Sequence, residues 1–299
     1  MSIKSIIKLM DIKTLVAGVI PVLLGSTYSW YAYGQCNVVY LVLLMIAMIL
    51  IQSGTNMTND YFDFKRGADG EDKVHEKALV SGEITPKQVL FIIILFELTA
   101  FMIGVFLGSQ TSYYILLVGI TGGIIAILYA SGPLPISYTP IGEIVSGVTM
   151  GIGITTTVIY IQSGVLNLST VVVAIPTTLY IGTILLSNNL SDLDGDKEAG
   201  RRTLPIIIGR RNAEKLWVFN VMLVLILTGV LVFLGLYPII VCAIVLLIFP
   251  YKCITDFLSY EKSIKTKGRT MGLIGKVGVK YHLAVIMGLL ISIIFKAGI

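Results

Sequence analysis

Two short polar stretches interrupt an otherwise apolar chain, 56-NMTNDYFDFKRGAD-69 and 188-NNLSDLDGDKEAGRRT-203. In the first, Asn56, Asp60 and Asp63 fall at i, i+4 and i+7, and in the second Asn188, Asp192 and Asp196 fall at i, i+4 and i+8. On an α-helix each trio projects from one face, a turn apart. Carboxylates so close repel one another and are tolerated when water, a cation or bases neutralise them. Mg²⁺ answers that need best: it takes oxygen ligands, keeps several waters, and is held by one or two carboxylates while phosphate oxygens complete its shell. Acids alone would repel phosphate, but bases follow each cluster, Lys65, Arg66, Lys73 and Lys77 after the first and Lys197, Arg201 and Arg202 after the second. The combination suits a Mg²⁺-bridged diphosphate better than a bare cation. One such cluster alone is more often a solvated helix end with local i, i+4 pairs. The repeated order, Asn four residues before Asp and then bases, tips the reading toward a site, with the two stretches expected to face each other.

The elements that must carry these residues are membrane spans. The chain of 299 residues is 56% hydrophobic and 13% charged, far from the composition of a soluble domain. Apolar runs of about the 20 residues needed to cross a bilayer lie near 14–33, 38–58, 88–107, 113–130, 142–163, 170–190, 216–236, 238–257 and 281–296. The expected fold is therefore all-α and polytopic, with nine transmembrane helices around a central cavity. Cytoplasmic loops concentrate Lys and Arg. With the N-terminus cytoplasmic, the segments 1–13, 59–87, 131–141, 191–215 and 252–280 lie inside and leave only Lys296, of the 22 basic residues, outside. Both Asp motifs then sit on the cytoplasmic side of a multi-pass protein of the cell membrane.

The net charge of +5 is on this reading a topological signal, and nucleic-acid binding is not expected. No cleavable signal peptide is expected either, the first span serving as its own insertion signal. Cys36, Cys242 and Cys253 are expected on the outer side, within the membrane and on the cytoplasmic side respectively, so they offer no disulfide or metal framework.

The acidic stretches follow the second and sixth spans, a spacing that suggests two four-helix halves plus a final helix. The whole of 1–299 reads as one membrane-embedded domain with cap loops at about 59–87 and 191–215. Three prolines in 131-SGPLPISYTPIG-142 forbid continued helix there. The basic stretch 258–280 reads as a solvated loop beside anionic lipid.

With both stretches in view, the chain resembles the UbiA-type intramembrane prenyltransferases from about residue 10 to 250. Asn56, Asn59, Asp60 and Asp63 match that family's first motif, and Asp192 and Asp196 match its DxxxD. The wording is closest to the 1,4-dihydroxy-2-naphthoate polyprenyltransferases of menaquinone biosynthesis, through PVLLGS (21–26), NDYFDFKRGAD (59–69), YASGPLPISYTPIGE (129–143) and NNLSDLDGDKEAGRRTL (188–204). Three features depart from the pattern. Gly67 stands where many 4-hydroxybenzoate-type relatives carry a third Asp, Asp11-Ile12 replaces an Arg-Pro pair so that Lys13 must supply that charge, and EKALVSGEIT (76–85) is closer to other branches.

The resemblance implies Mg²⁺-dependent transfer of a polyprenyl group from its diphosphate to an aromatic acceptor. Asn56, Asp60, Asp63, Asn188, Asp192 and Asp196 would be metal ligands, the four Asp being catalytic, with Lys65, Lys77, Arg201 and Arg202 on the diphosphate. By the same resemblance Tyr129 steadies the allylic cation or the diphosphate, although an interfacial aromatic belt accounts for it equally well. Glu97, midway along the third span, reads as a protonated or hydrogen-bonded structural residue and His75 as a surface histidine, while His282, at the start of the last span, receives no role. Two other classes are open. A secondary transporter would carry its acids near the midplane on broken helices, and a UbiA-type terpene cyclase would share both motifs.

Overall fold

The structure, a computed structural model, describes residues 3–67 and 78–296. Lys73, His75, Lys77 and Asp69 lie outside them. Among the described residues the regular elements are all helical: α1 (Ile3–Met10), α2 (Val16–Tyr33), α3 (Val38–Arg66), α4 (Pro86–Gln110), α5 (Tyr114–Ala130), α6 (Gly142–Gly147), α7 (Thr155–Ser163), α8 (Leu168–Val172), α9 (Ile175–Ser191), α10 (Leu193–Glu198), α11 (Leu204–Ile208), α12 (Arg210–Phe233), α13 (Ile239–Ile248), α14 (Lys252–Leu258) and α15 (Lys267–Lys296). Each apolar run of the sequence coincides with a helix or with consecutive helices. A bilayer leaves no water to satisfy backbone groups, so helix is the form these runs must take.

Among the described residues six helices are long and apolar enough to cross a membrane, and α13 with α14, bent by 47°, makes a seventh if the pair is one span. Nine were expected. The other two of these nine runs correspond to α5, which has 17 residues, and to α2, whose second half, Ser26 to Tyr31, is polar and aromatic. The protein is a multi-pass membrane protein on the six alone.

Helix ends depart from the hydropathy boundaries. Helix α12 begins at Arg210 rather than 216, and α15 at Lys267 rather than 281. The expected solvated loop over 258–280 is thus largely helix, because backbone hydrogen bonding continues past the apolar stretch wherever one face can be buried. Thr270, Ile274, Val277, Tyr281, Ala284 and Gly288 form that buried face at steps of three and four. The cap segment expected over 191–215 likewise holds α10 and α11.

Two compact units are present. Residues 20–38 group with 137–299, so the division is not the expected pair of four-helix halves. In the unit formed by 1–19 and 39–136, Leu9, Met57, Ala78, Leu79, Ile84, Val89 and Ile92 make a buried apolar cluster. Glu83 ties α1 to the turn before α4 by accepting from Ser5 Oγ and Lys8 Nζ, each at 3.2 Å. The Lys8 bond, followed by the Ser5 and Ser81 hydroxyls, holds its carboxyl below the usual range. Thr85 and Gln88 form a capping box at the start of α4, with Pro86 in its first turn. Residues 78–87 are therefore a packed turn and a helix start.

In the unit formed by 20–38 and 137–299, α9 is the helix on which the others pack. Gly147 and Gly151, four residues apart, let the helical run from α6 through the π-turn Val148–Ile154 approach Thr178 closely. A Cβ on Gly147 would stand 2.7 Å from Thr178 O, and one on Gly151 would overlap the Thr178 Cα. On other faces of α9, Trp217 Nε1 of α12 donates to Ser187 Oγ at 2.8 Å and His282 of α15 bonds Thr177 Oγ1 at 3.1 Å. Trp217 also stacks on Phe257 with centroids 3.9 Å apart. His282, for which the sequence suggests no role, is thus a structural residue, its other ring nitrogen bonding Gly278 O at 2.8 Å. Gly151→Leu should destabilise the detergent-solubilised protein by about 1–3 kcal/mol through overpacking. Gly229→Ala, where nothing lies within 4 Å of the added methyl, should be neutral or slightly stabilising. Thermal unfolding of both variants measures the contrast.

Candidate active site

The second acidic motif lies where α9 gives way to α10. Asp192 adopts φ −92° and ψ 5°, so the helix breaks at the first acid. The one-face arrangement survives, because Asp192 N–H donates to Asn188 O at 3.0 Å and Asp196 N–H to Asp192 O at 2.8 Å, both i to i−4. Asn188 Nδ2 donates to Asp192 Oδ2 at 3.3 Å, and Lys267 Nζ reaches the same oxygen at 2.6 Å. Asp192 Oδ1 is buried with no hydrogen-bond partner among the described residues.

Asp196 is buried and paired with Arg201 at 3.3 Å. The Arg201 guanidinium also lies over the Tyr138 ring at 4.3 Å, and Arg202 N–H donates to Tyr138 O at 2.8 Å. The proline-rich segment is thereby fastened to the motif. Next to it, Asn189 Nδ2 donates to Glu143 Oε1 at 2.9 Å, while the buried Glu143 Oε2 has no hydrogen-bond partner among the described residues. The exposed Asp194 is held by Arg210 at 2.9 Å, and Arg210 donates also to Lys262 O. Lys262, 1% exposed, pairs with Glu214 at 3.0 Å and donates to Tyr260 O at 2.8 Å. These bonds fix the segment from which α15, and so Lys267, starts.

The first motif lies on the uninterrupted α3, as its spacing predicts. Asn56 Nδ2 donates to Met10 O and Thr14 Oγ1, both at 2.7 Å, and its Oδ1 accepts from Gln52 at 3.4 Å. The amide nitrogen is committed to holding residues 10–14, and the oxygen makes one long hydrogen bond. Asp60 and Asp63 are half-buried near the end of α3, and Lys65, exposed, sits 5.9 Å from the Tyr61 ring centroid. Tyr129 is half-buried at the end of α5. Glu97 packs against Gly54 of α3, where a side chain would overlap its carboxyl. Lys77 lies outside the described residues.

No three His, Cys, Asp or Glu side chains converge among the described residues. Mg²⁺ does not need such a group, because one or two carboxylates hold it while waters and phosphate oxygens fill the rest. The unsatisfied Asp192 Oδ1 fits such a cation, since a buried carboxylate oxygen without a partner is costly. Sequence reasoning missed Lys267, Tyr138 and the Asn189–Glu143 pair. The period of Thr270, Ile274, Val277 and Tyr281 would have placed Lys267 at a helix start. The other contacts are long-range and leave no periodic signal.

Residues 18–268 match the profile of the UbiA prenyltransferase family. The chain belongs to that family. Over 204 residues it is 36% identical to the 1,4-dihydroxy-2-naphthoate octaprenyltransferase of Bacillus subtilis (strain 168), which covers 68% of this chain and 65% of the relative. Over 197 residues it is 31% identical to the UbiA prenyltransferase domain-containing protein 1 of Danio rerio, covering 64% of this chain and 58% of that protein. The matched part thus spans somewhat less than two-thirds of each relative's length. The UbiA homolog from Archaeoglobus fulgidus bound to GPP and Mg²⁺ shares the fold, with TM-score 0.67 at 19% identity over 95% of this chain and 99% of that one.

In this UbiA chain, Arg210 links α10 to the segment before α15. Arg210→Ala should cost about 1–3 kcal/mol, the range for leaving buried or charged partners unsatisfied, and should open residues 259–266 to protease. Thermal melting with limited proteolysis and peptide mapping checks both effects.

Proposed function

We propose that this protein transfers a polyprenyl group from an allylic diphosphate to 1,4-dihydroxy-2-naphthoate in menaquinone biosynthesis, with Mg²⁺ as cofactor, and that 1–299 acts as one membrane-embedded catalytic domain. The similarity to the Bacillus subtilis octaprenyltransferase carries the choice of acceptor. The Asp192 and Asp196 carboxylates set among Asn188, Arg201, Arg202 and Lys267 support the chemistry.

In this reading Asn56, Asp60, Asp63, Asn188, Asp192 and Asp196 hold the cation, which when bound neutralises the charge on the departing diphosphate. Lys65, Lys77, Arg201 and Arg202 donate charge-assisted hydrogen bonds to the diphosphate oxygens, and these strengthen as charge develops. The allylic C–O bond breaks with its electron pair leaving on the diphosphate. The acceptor carbon that bears the carboxylate attacks the allylic cation, and the carboxylate leaves as CO₂. Tyr129 steadies the cation through its ring face, and the apolar helices keep water from it.

Purified protein with Mg²⁺, dihydroxynaphthoate and prenyl diphosphates of several lengths should yield a demethylmenaquinol, recovered as the quinone after oxidation by air, and CO₂, read by mass spectrometry. Asp60→Ala, Asp192→Ala and Asp196→Ala should each abolish the product while leaving membrane insertion intact. Product from 4-hydroxybenzoate with none from dihydroxynaphthoate would overturn the acceptor. Activity of all three variants within about tenfold of the parent, or about 1.4 kcal/mol of transition-state stabilisation, would overturn the metal ligands.

The N-terminus and both motifs are proposed to be cytoplasmic, on the distribution of Lys and Arg. With Cys36, Cys242 and Cys253 changed to Ser, single cysteines at the exposed positions Lys87 and Glu198 should react with an impermeant thiol reagent only from the cytoplasmic side. One at the exposed Thr111 should react only from the other side. Labelling of Lys87 and Glu198 positions from outside would invert the topology.

A further inference from the structure

We propose that Lys267 is a displaceable counter-ion of the second acidic motif: without metal its ammonium holds the cation's place on Asp192, and it passes to the diphosphate when metal and substrate bind. The proposal rests on Asp192 being a metal ligand, and it adds a residue and a binding order to that reading.

Four observations carry it. Lys267 Nζ lies 2.6 Å from Asp192 Oδ2, across 75 residues of sequence, so the pair is tertiary rather than a local accident of one helix. The same oxygen takes the Asn188 amide at 3.3 Å, whereas the buried Oδ1 has no hydrogen-bond partner among the described residues. Asp192 is thus half-neutralised, with one oxygen committed and one waiting. Lys267 is also the first residue of α15, the end at which the helix dipole disfavours a cation. An acid opposite it offsets that disadvantage.

The fourth observation is the contrast with Lys262, five residues earlier. Lys262 is 1% exposed and locked by Glu214, the Tyr260 carbonyl and the Phe257 ring. The Lys267 side chain is 33% exposed, and its anchor is the backbone around it, where Ser263 N–H donates to Thr266 Oγ1 at 2.9 Å. Its start point is fixed while its four-carbon stem is free to swing, and an ammonium has three rotatable donors suited to exchanging one oxyanion for another.

The consequence is a coupling between ligands. A divalent cation arriving alone must displace the ammonium from Oδ2 and strand it. A cation arriving with a diphosphate gives the displaced ammonium new oxygens to bind. Metal and diphosphate therefore strengthen each other's binding, which disfavours loading by bare metal.

The test uses the detergent-purified full chain, with Mn²⁺ binding followed by electron paramagnetic resonance without substrate, and inorganic pyrophosphate binding followed by calorimetry at saturating Mg²⁺. Lys267→Met should bind Mn²⁺ alone about fivefold more tightly or better, and pyrophosphate about fivefold more weakly, the low end of ordinary coupling. Lys267→Arg should stay near the parent in both. If Lys267→Met does not fold, Lys267→Gln carries the same expectations. Unchanged or weaker Mn²⁺ affinity in folded Lys267→Met or Lys267→Gln overturns the proposal. If Asp192→Asn loses Mn²⁺ in that case, the metal-ligand reading stands alone. If Asp192→Asn binds Mn²⁺ like the parent, both readings fall.

Discussion

Neutralising acids at a helix end is the constraint on which the unit formed by 20–38 and 137–299 depends. Asp192 and Asp196 stand one turn apart, and partly buried carboxylates at that spacing destabilise the fold unless each has a positive partner. The partners come from three directions in the sequence. Arg201 folds back onto Asp196 from five residues further along the chain, and Lys267 reaches in from α15. Arg210 meets the neighbouring Asp194. Tyr138 then lies under the Arg201 guanidinium and accepts the Arg202 N–H, so that the proline-rich segment is placed by the same charges. A guanidinium is suited to this double duty, being planar enough to stack on a ring while it pairs with a carboxylate.

The membrane sets the complementary demand. Helices in lipid gain little from apolar contact with one another, so close packing of small residues and hydrogen bonds across helices must hold them. On α9 both are present along one element. Thr178 receives Gly147 and Gly151 on one side, and Thr177, Thr183 and Ser187 bond His282, Asn220 and Trp217 on the others. A helix held on several faces in this way has little freedom to slide. That rigidity is what the proposed cation site at its C-terminal end would require, since Mg²⁺ tolerates little departure from octahedral geometry.

The positions of the helices were legible in the sequence because apolar runs about a bilayer long have few other solutions. Their ends were not. The starts of α12 at Arg210 and α15 at Lys267 lie beyond the apolar stretch, where helix is maintained by one buried face and hydropathy carries no signal. The first acidic trio could be read directly, because α3 runs through it unbroken. The second was read correctly as a face and incorrectly as a continuous helix, since the break at Asp192 is a matter of one residue's ψ. Lys267 and Glu143 escaped for a common reason: each owes its place to a partner far away in sequence, and a single chain displays spacing along a helix but not pairing between helices.

The basic stretch 258–280 shows how much such pairing changes a reading. From composition it is a set of solvated cations beside lipid. In the structure Lys262 is among the most buried side chains of the protein, with an acid, a carbonyl and a ring around it. Burying an ammonium without those partners would cost several kcal/mol, so Glu214 and Tyr260 are required by Lys262 and cannot be spared to serve a ligand. Lys267 has no such enclosure and faces an acid whose second oxygen is unsatisfied. Two lysines of one polar segment thus have opposite physical characters, one fixed by desolvation and one left exchangeable by exposure. Only the second can answer to a charge that comes and goes.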